Sequence, residues 1–338
     1  MKLLFSFSSF ILLYITCSFA QDIHFSQYNS VPMNLNPSLT GMFDGDYRFI
    51  GNQRNQWRSI TLPYTYHTFG GSVDARNFLG KENINAGFSI YNDKAGDSKF
   101  STLQLNVAGA YNKTIAGDSS QQLSFGIQTG FTQRKINYNN LSFDSQYNGL
   151  YYDPGTGNGE NFAKSSYTYL NLNSGISWSY NPKERFKIIS GITLYNITKP
   201  KQSFFNNNEI KLDRKITFFG SGQFKINDKV DVLPSFLLMG QGTYREYLVG
   251  SSVKYILEDI LGKYRAVYFG TWFRMGDAGF VSAGMDYDNI NVGISYDINV
   301  SNLKPASKYR GGFEISIIYI IRRFVPFRTK HKACPNFI

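Results

Sequence analysis

The chain has 338 residues, 17% of them aromatic, and a formal net charge of +11. Beyond the first residues no stretch stays apolar for the roughly 18 residues that a membrane-spanning helix needs, which excludes a helical membrane domain. A mildly negative mean hydropathy leaves a membrane β-barrel open, because alternation hides its lipid face from any average. The basic residues are scattered along an exported chain. That argues against nucleic acid and for lipid phosphates or an acidic partner.

The N-terminus reads as a secretory signal peptide over residues 1–20. Lys2 precedes an apolar run from Leu3 to Ile15, and Ser18-Phe19-Ala20 supplies a small-x-small cleavage site. Cys17 offers a second reading as a lipid-modified cysteine, against which Tyr14-Ile15-Thr16 is a poor lipobox. After cleavage only Cys334 remains, so an intramolecular disulfide is excluded.

Residues 21–45, with Pro32, Pro37 and several Asn, are not strand-like. They are expected to form an irregular segment at the periplasmic mouth or plugging a lumen. From Asp46 the pattern changes to runs of alternating polarity, each about as long as a tilted spanning strand. The clearest is Ile290 to Ser301. Ile290, Val292, Ile294, Tyr296, Ile298 and Val300 fall on one face. Asn291, Gly293, Ser295, Asp297, Asn299 and Ser301 fall on the other.

In chain order the candidates are Asp46–Gln56, Thr68–Arg76, Asn83–Tyr91, Phe100–Lys113, Gln121–Gln133, Ser166–Tyr180 and Phe186–Ile197. Then come Lys215–Ile226, Val230–Gly240, Tyr244–Leu257, Tyr264–Arg274, Gly279–Tyr287, Ile290–Ser301 and Gly311–Ile321. About 14 strands satisfies the even number required when both barrel ends lie in the periplasm. Loop lengths support the count, because periplasmic turns should be short and external loops long. The long stretches Lys135–Ser165 and Thr198–Arg214 alternate with tight turns at Asn181–Arg185, Asn227–Lys229 and Asp288–Asn289. The alternation weakens at Gln241 and Gly276, where external loops are short. The fold class is thus all-β: a transmembrane antiparallel β-barrel over residues 46–321, followed by a basic periplasmic tail over 322–338.

The opening Asp22-Ile-His-Phe-Ser-Gln-Tyr28 and Asn34-Leu-Asn-Pro-Ser-Leu-Thr-Gly41 resembles the start of the PorP/SprF family of type IX secretion membrane proteins. That family continues with a Tyr-Arg-x-Gln-Trp type motif, met here by Tyr47-Arg48 and, stretched apart, Asn55-Gln56-Trp57, with Pro63 shortly after. Tyr268–Arg274, Asp277-Ala278, Ser295–Ile298, Gly311-Gly-Phe-Glu-Ile-Ser316 and Cys334-Pro-Asn-Phe337 continue the resemblance. The signature residues are Phe25, Ser26, Gln27, Tyr28, Asn36, Pro37, Gly41, Gln56, Trp57, Gly311, Gly312, Phe313 and Glu314. The resemblance implies a fatty-acid-transporter-like outer-membrane barrel of Bacteroidota working with type IX secretion and gliding machinery. It further implies exported adhesin-like cargo and periplasmic components that link the machine to peptidoglycan. It carries over no catalytic residue.

The residues themselves give little chemistry. His24, His67 and His331 lack metal-ligand spacing. Asp286, Asp288 and Asp297 would suit calcium by type, yet turns and a polar lumen account for them more simply. Arg48, Arg54 and Arg274 within strands would cost about 2–4 kcal/mol facing lipid at midplane. They are therefore expected in the lumen beside Asp or Glu, Glu314 among them. Trp57 reads as an interface anchor before a recognition surface. The tail basics Arg322, Arg323, Arg328, Lys330 and Lys332 suit docking on a periplasmic partner or contact with lipid phosphates. The external stretch Asn137–Lys164, rich in Tyr, Asn and Gly, suits adaptable protein contact or a mobile loop.

The function expected is a non-enzymatic outer-membrane component, without cofactor, that supports secretion or surface anchoring of adhesins. The alternatives are a transport barrel for a hydrophobic or small solute, and a connector between outer membrane and peptidoglycan.

Overall fold

The computed structural model describes Ile23 and residues 25–322, except 57–65, 97, 116, 118–119, 154, 158, 160–162, 206, 261 and 302–309. The expected signal peptide, His24, Trp57, His331, Cys334 and the tail basics from Arg323 onward lie outside the described residues.

Fourteen strands close into one barrel among the described residues. They are β1 (Tyr47–Gln56), β2 (Tyr66–Ala75), β3 (Ile84–Ala95), β4 (Phe100–Thr114), β5 (Gln121–Lys135), β6 (Ser166–Lys183) and β7 (Phe186–Tyr195). The rest are β8 (Lys215–Lys225), β9 (Val230–Gln241), β10 (Tyr244–Ile260), β11 (Lys263–Arg274), β12 (Ala278–Tyr287), β13 (Ile290–Asn299) and β14 (Arg310–Ile321). Each pairs antiparallel with its sequence neighbours, and β1 pairs with β14, Tyr47 opposite Ile321. Closure satisfies the edge amides and carbonyls that lipid cannot.

Alternation sets the two faces. On β5, Leu123, Phe125, Ile127 and Phe131 point outward, while Ser124, Gln128 and Thr132 are buried inside. On β13, Ile294, Tyr296 and Ile298 point outward, and Ser295, Asp297 and Asn299 are buried. An apolar outer wall this continuous belongs in a bilayer, since soluble proteins expose only small apolar patches. β13 ends at Asn299 and does not reach Val300 or Ser301. The Asn299 side-chain oxygen accepts from both the Ser301 amide and its hydroxyl, turning the chain out of the ladder.

The two ends of the barrel differ. The short turns at Glu184–Arg185, Ile226–Lys229 and Asp288–Asn289 share one end with the start of β1 and the end of β14. By the loop-length rule this is the periplasmic end. The described residues between β5 and β6 and between β7 and β8 lie at the other. There the aromatic rings of Phe100, Tyr138, Tyr167 and Phe204 meet edge to face, tying the two long external loops together.

Ile23 and residues 25–46 run inside the barrel. Tyr28–Ser30 and Pro37–Leu39 are single 3-10 turns, and α1 (Pro32–Leu35) lies between them. Pro32 and Pro37 each stand at the first position of a helical turn, where the missing amide hydrogen costs nothing. Ile23 sits among Tyr91, Asn106, Asn171 and Lys215, in the outer half of the lumen. From there the segment crosses to the periplasmic end and enters β1.

Candidate functional site

The chemistry of this protein is concentrated where the inner segment meets the barrel wall. Three regions of contact hold it.

The first is a buried charge cluster in the outer half of the lumen. The Arg54 guanidinium donates to Asp297 Oδ2 at 2.8 Å and lies 3.8 Å from Glu314. Arg274 lies 3.6 Å from Glu246 and 3.7 Å from Asp297, and its Nη2 donates to the Ser26 hydroxyl at 3.0 Å. Among the described residues the two guanidinium groups face three buried carboxylates, Arg274 also reaches the half-exposed Asp277 at 3.0 Å, and neutral donors add to the balance. The Ser26 amide donates to Glu314 Oε2 at 2.8 Å and the Gln27 amide to Oε1 at 3.1 Å. Asn52 is the third donor to the Glu314 carboxylate and the second to its Oε1, and the Ser26 hydroxyl donates to Asp297. Ser316 and Gln27 close the cluster through a 2.7 Å hydrogen bond. Each hydrogen bond to a charged group contributes about 1.5–3 kcal/mol, so the inner segment is itself part of the electrostatic balance.

The second region is the turn into the barrel. Arg48 holds Asp74 in a two-point ion pair, at 3.0 and 2.6 Å, while the Gly41 amide donates to Asp74 Oδ2 at 2.7 Å. Arg48 also donates to the Leu39 carbonyl. One buried carboxylate thus ties β1, β2 and the inner segment together.

The third region is steric. Asn36 donates to the Ile176 and Ile192 carbonyls, and its own oxygen accepts from the Ser38 amide and hydroxyl. The close approach needs glycines on the wall. A Cβ at Gly126 would overlap the Pro37–Ser38 backbone, and one at Gly175 would overlap the Asn36 side chain. Tyr195 donates to the Leu35 carbonyl and, at 2.7 Å, to that of Asn34. Phe25 packs on Tyr91 and Val31, and Tyr28 meets Trp272 edge to face. The segment therefore contacts wall strands on every side and spans the lumen as a plug.

On the periplasmic side of the plug a cavity of about 480 Å³ remains, lined by Leu39, Ile189, Phe219, Trp272, Phe280 and Ile320 among others. It shares Lys187, Gln223, Asp286 and Asn291 with a second space of about 360 Å³ at the mouth. At that mouth Arg185 donates to Asp231 at 2.6 Å, and the hydrogen bond holds its guanidinium above its ordinary range. On the outer side a small space of about 20 Å³ lies beside Asn106 and Asn171.

The structure brings the two ends of the signature together. Phe25, Ser26, Gln27, Tyr28, Asn36, Pro37 and Gly41 all lie in or at the plug, and Glu314 is its main anchor. Gln56, Gly311 and Gly312 sit at the outer ends of β1 and β14. Phe313 points outward, away from the cluster. Arg322, just past β14, is exposed and lies 3.7 Å from Asp44. Arg48, Arg54 and Arg274 face the lumen beside carboxylates. Asp286, Asp288 and Asp297 are dispersed: Asp297 pairs with Arg54, Asp286 with Lys254, and Asp288 accepts from the Tyr264 amide. His67 is exposed beside Asn55. Sequence reasoning missed Asp74, Glu246 and Asn52 as partners. Their signal was a charged or amide residue on the polar phase of an alternating strand.

A closed 14-strand barrel with an apolar outer wall and a largely polar lumen is an outer-membrane β-barrel. The model of the family described as type IX secretion system membrane protein PorP/SprF matches residues 17–319. The chain belongs to that family, and it is an outer-membrane component of the type IX secretion system. Comparison with curated proteins gives no match. Among solved structures the chain is similar to the toluene transporter TbuX of Ralstonia pickettii. That match has a TM-score of 0.51 at 11% identity and covers 87% of this chain and 94% of that one. The toluene transporter TodX of Pseudomonas putida matches with a TM-score of 0.48 at 9% identity, covering 85% and 92%. A FadL homologue of Pseudomonas aeruginosa matches with a TM-score of 0.46 at 10% identity, covering 84% and 92%. At such identities the likeness to TbuX speaks for the fold alone.

Proposed function

We propose that this barrel is a non-enzymatic scaffold that supports secretion or surface anchoring of adhesin-like cargo. The external loops meet the cargo. The periplasmic end, with Arg322, Arg323, Arg328, Lys330 and Lys332, meets machine components that link to peptidoglycan. The observation that carries this reading is the plug. A lumen crossed by a segment locked through buried charges suits a protein that works through its two rims. A solute path would first need that segment displaced. The external aromatic cluster of Tyr138, Tyr167 and Phe204 adds support, since rigid aromatic surfaces are efficient contact sites.

The test is a mild-detergent affinity purification from native outer membranes, paired with deletion of the gene. Co-purification of a large exported protein, and its loss from the cell surface on deletion, is the expected result. Normal surface display of every large adhesin after deletion would sink the reading. Solute flux through the purified barrel in liposomes, with no protein partner retained, would instead favour the transport alternative.

A further inference from the structure

The periplasmic cavity has a chemistry that anchoring cargo does not explain. Its walls are mostly apolar, including Ile189, Phe219, Trp272, Phe280 and the inward-facing Ile318 and Ile320. Apolar side chains pointing into the lumen reverse the usual pattern of an outer-membrane barrel. Six of them are grouped around this one cavity.

The charges at its entrance are unevenly matched. Arg48 is held by Asp74, Arg185 by Asp231, and Lys254 by Asp286. Arg322 lies near the exposed Asp44. Asp288 accepts a backbone amide. Lys187 is the exception: it forms no hydrogen bond or ion pair among the described residues. It is half-buried and borders both the apolar cavity and the mouth. Its charged neighbours are Arg48, already paired, and Asp44. Four cations line the mouth, Arg185, Lys187, Lys254 and Arg322, and all but Lys187 have a carboxylate within 4 Å among the described residues.

We propose that this vestibule binds an amphipathic anion, its acyl chain in the apolar cavity and its anionic head on Lys187. The volume of about 480 Å³ falls inside the range of about 300–1,000 Å³ typical of small-molecule sites. Lys187 is the second residue of β7 and Trp272 the tenth of β11, both strands starting at the periplasmic end. At about 3.3 Å per residue and a tilt of about 40° the two levels differ by roughly 20 Å along the barrel axis. An extended sixteen-carbon chain, with bonds of about 1.5 Å, has about that length. The chain's own tail is a poor fit, because Arg323, Arg328, Lys330 and Lys332 would bring further positive charge to Lys187.

Trp272 is a built-in reporter. In full-length protein carrying Trp57→Phe and Trp178→Phe it is the remaining tryptophan. Hexadecanoate brominated at its terminal carbon is expected to quench its fluorescence saturably, and hexadecyltrimethylammonium to compete poorly. Lys187→Met is expected to weaken binding about tenfold, as loss of one charge-assisted contact does, and Lys187→Arg to restore it. Extraction of the purified protein then separates a fatty acid from a single-chain phospholipid as the source, either of which supports the site. Non-saturable quenching overturns the proposal. So does unchanged affinity in Lys187→Met protein that still migrates as a folded barrel. Quenching that appears only after truncation at Arg322 would assign the cavity to the chain's own tail and overturn it equally.

Discussion

The backbone amide of Ser26 donates to Glu314 Oε2 at 2.8 Å, joining residues 288 positions apart in sequence. Glu314 gathers the Ser26 and Gln27 amides, Asn52 and Arg54 at one buried carboxylate. Glu314→Gln removes the charge and keeps the shape. The barrel ladder is untouched, so the effect should be local. Opening of residues 25–41 should become about ten- to a hundredfold more frequent, following a loss of about 1.5–3 kcal/mol. Hydrogen exchange in detergent reads this directly. Faster exchange in the plug amides with unchanged exchange in β5 is the expected outcome, and uniform change across the wall would refute the local anchor.

The Arg48–Asp74 pair tests whether the plug entry is coupled to the wall. Asp74 is fully buried and accepts from Arg48 and from the Gly41 amide. Removing one partner of such a pair costs about 3–5 kcal/mol, whereas removing both costs less. Arg48→Met and Asp74→Leu should each destabilise the folded barrel, and the double variant should recover much of the loss. Equilibrium unfolding into vesicles gives the cycle. Additive effects would show that the two side chains do not act together.

Periodicity carried most of the fold. Residues such as Ile294 and Tyr296, alternating with Ser295 and Asp297, determine strand, face and lipid exposure in a few positions. Strand ends were less legible. Nothing in the alternation of Ile290 to Ser301 reveals that Asn299 captures the Ser301 amide. The lumen arginines could be placed from desolvation cost alone, because Arg54 at lipid depth has no other home. Their partners could not be assigned, since Asp74, Glu246 and Asp297 approach only through strand register and closure. The plug was legible as a non-strand stretch. Its path was not, because it depends on gaps such as Gly126 that look like ordinary small residues.

Gly126 supplies a steric test of the plug. A Cβ there would lie too close to the Pro37–Ser38 backbone to fit. Gly126→Val should therefore push the plug from its seat and leave the wall intact. Gly109, on the outward face of the adjoining β4, is the control, because a Cβ there points away from the plug and meets nothing closer than 4.0 Å. In planar bilayers the Gly126 variant should show larger or more frequent conductance steps than either the parent or Gly109→Val. Equal conductance in all three would mean that the plug does not limit the lumen.

The outer wall makes a depth-dependent prediction. Ile127 is the seventh residue of the fifteen-residue β5 and points outward, 47% exposed on the bare protein. In a membrane that exposure is to lipid. Lys at this position should cost about 2–4 kcal/mol, the penalty for a cation at midplane. Leu123, also outward and 42% exposed, stands third in the same strand, near the periplasmic end. Lys there can reach the headgroups and should cost about 0–1 kcal/mol. A soluble barrel would tolerate both, because each site would face water. Folding equilibria into vesicles distinguish the cases. A large penalty at position 127 with a small one at 123 fixes both the lipid face and the depth of β5, and equal small penalties would remove β5 from the membrane.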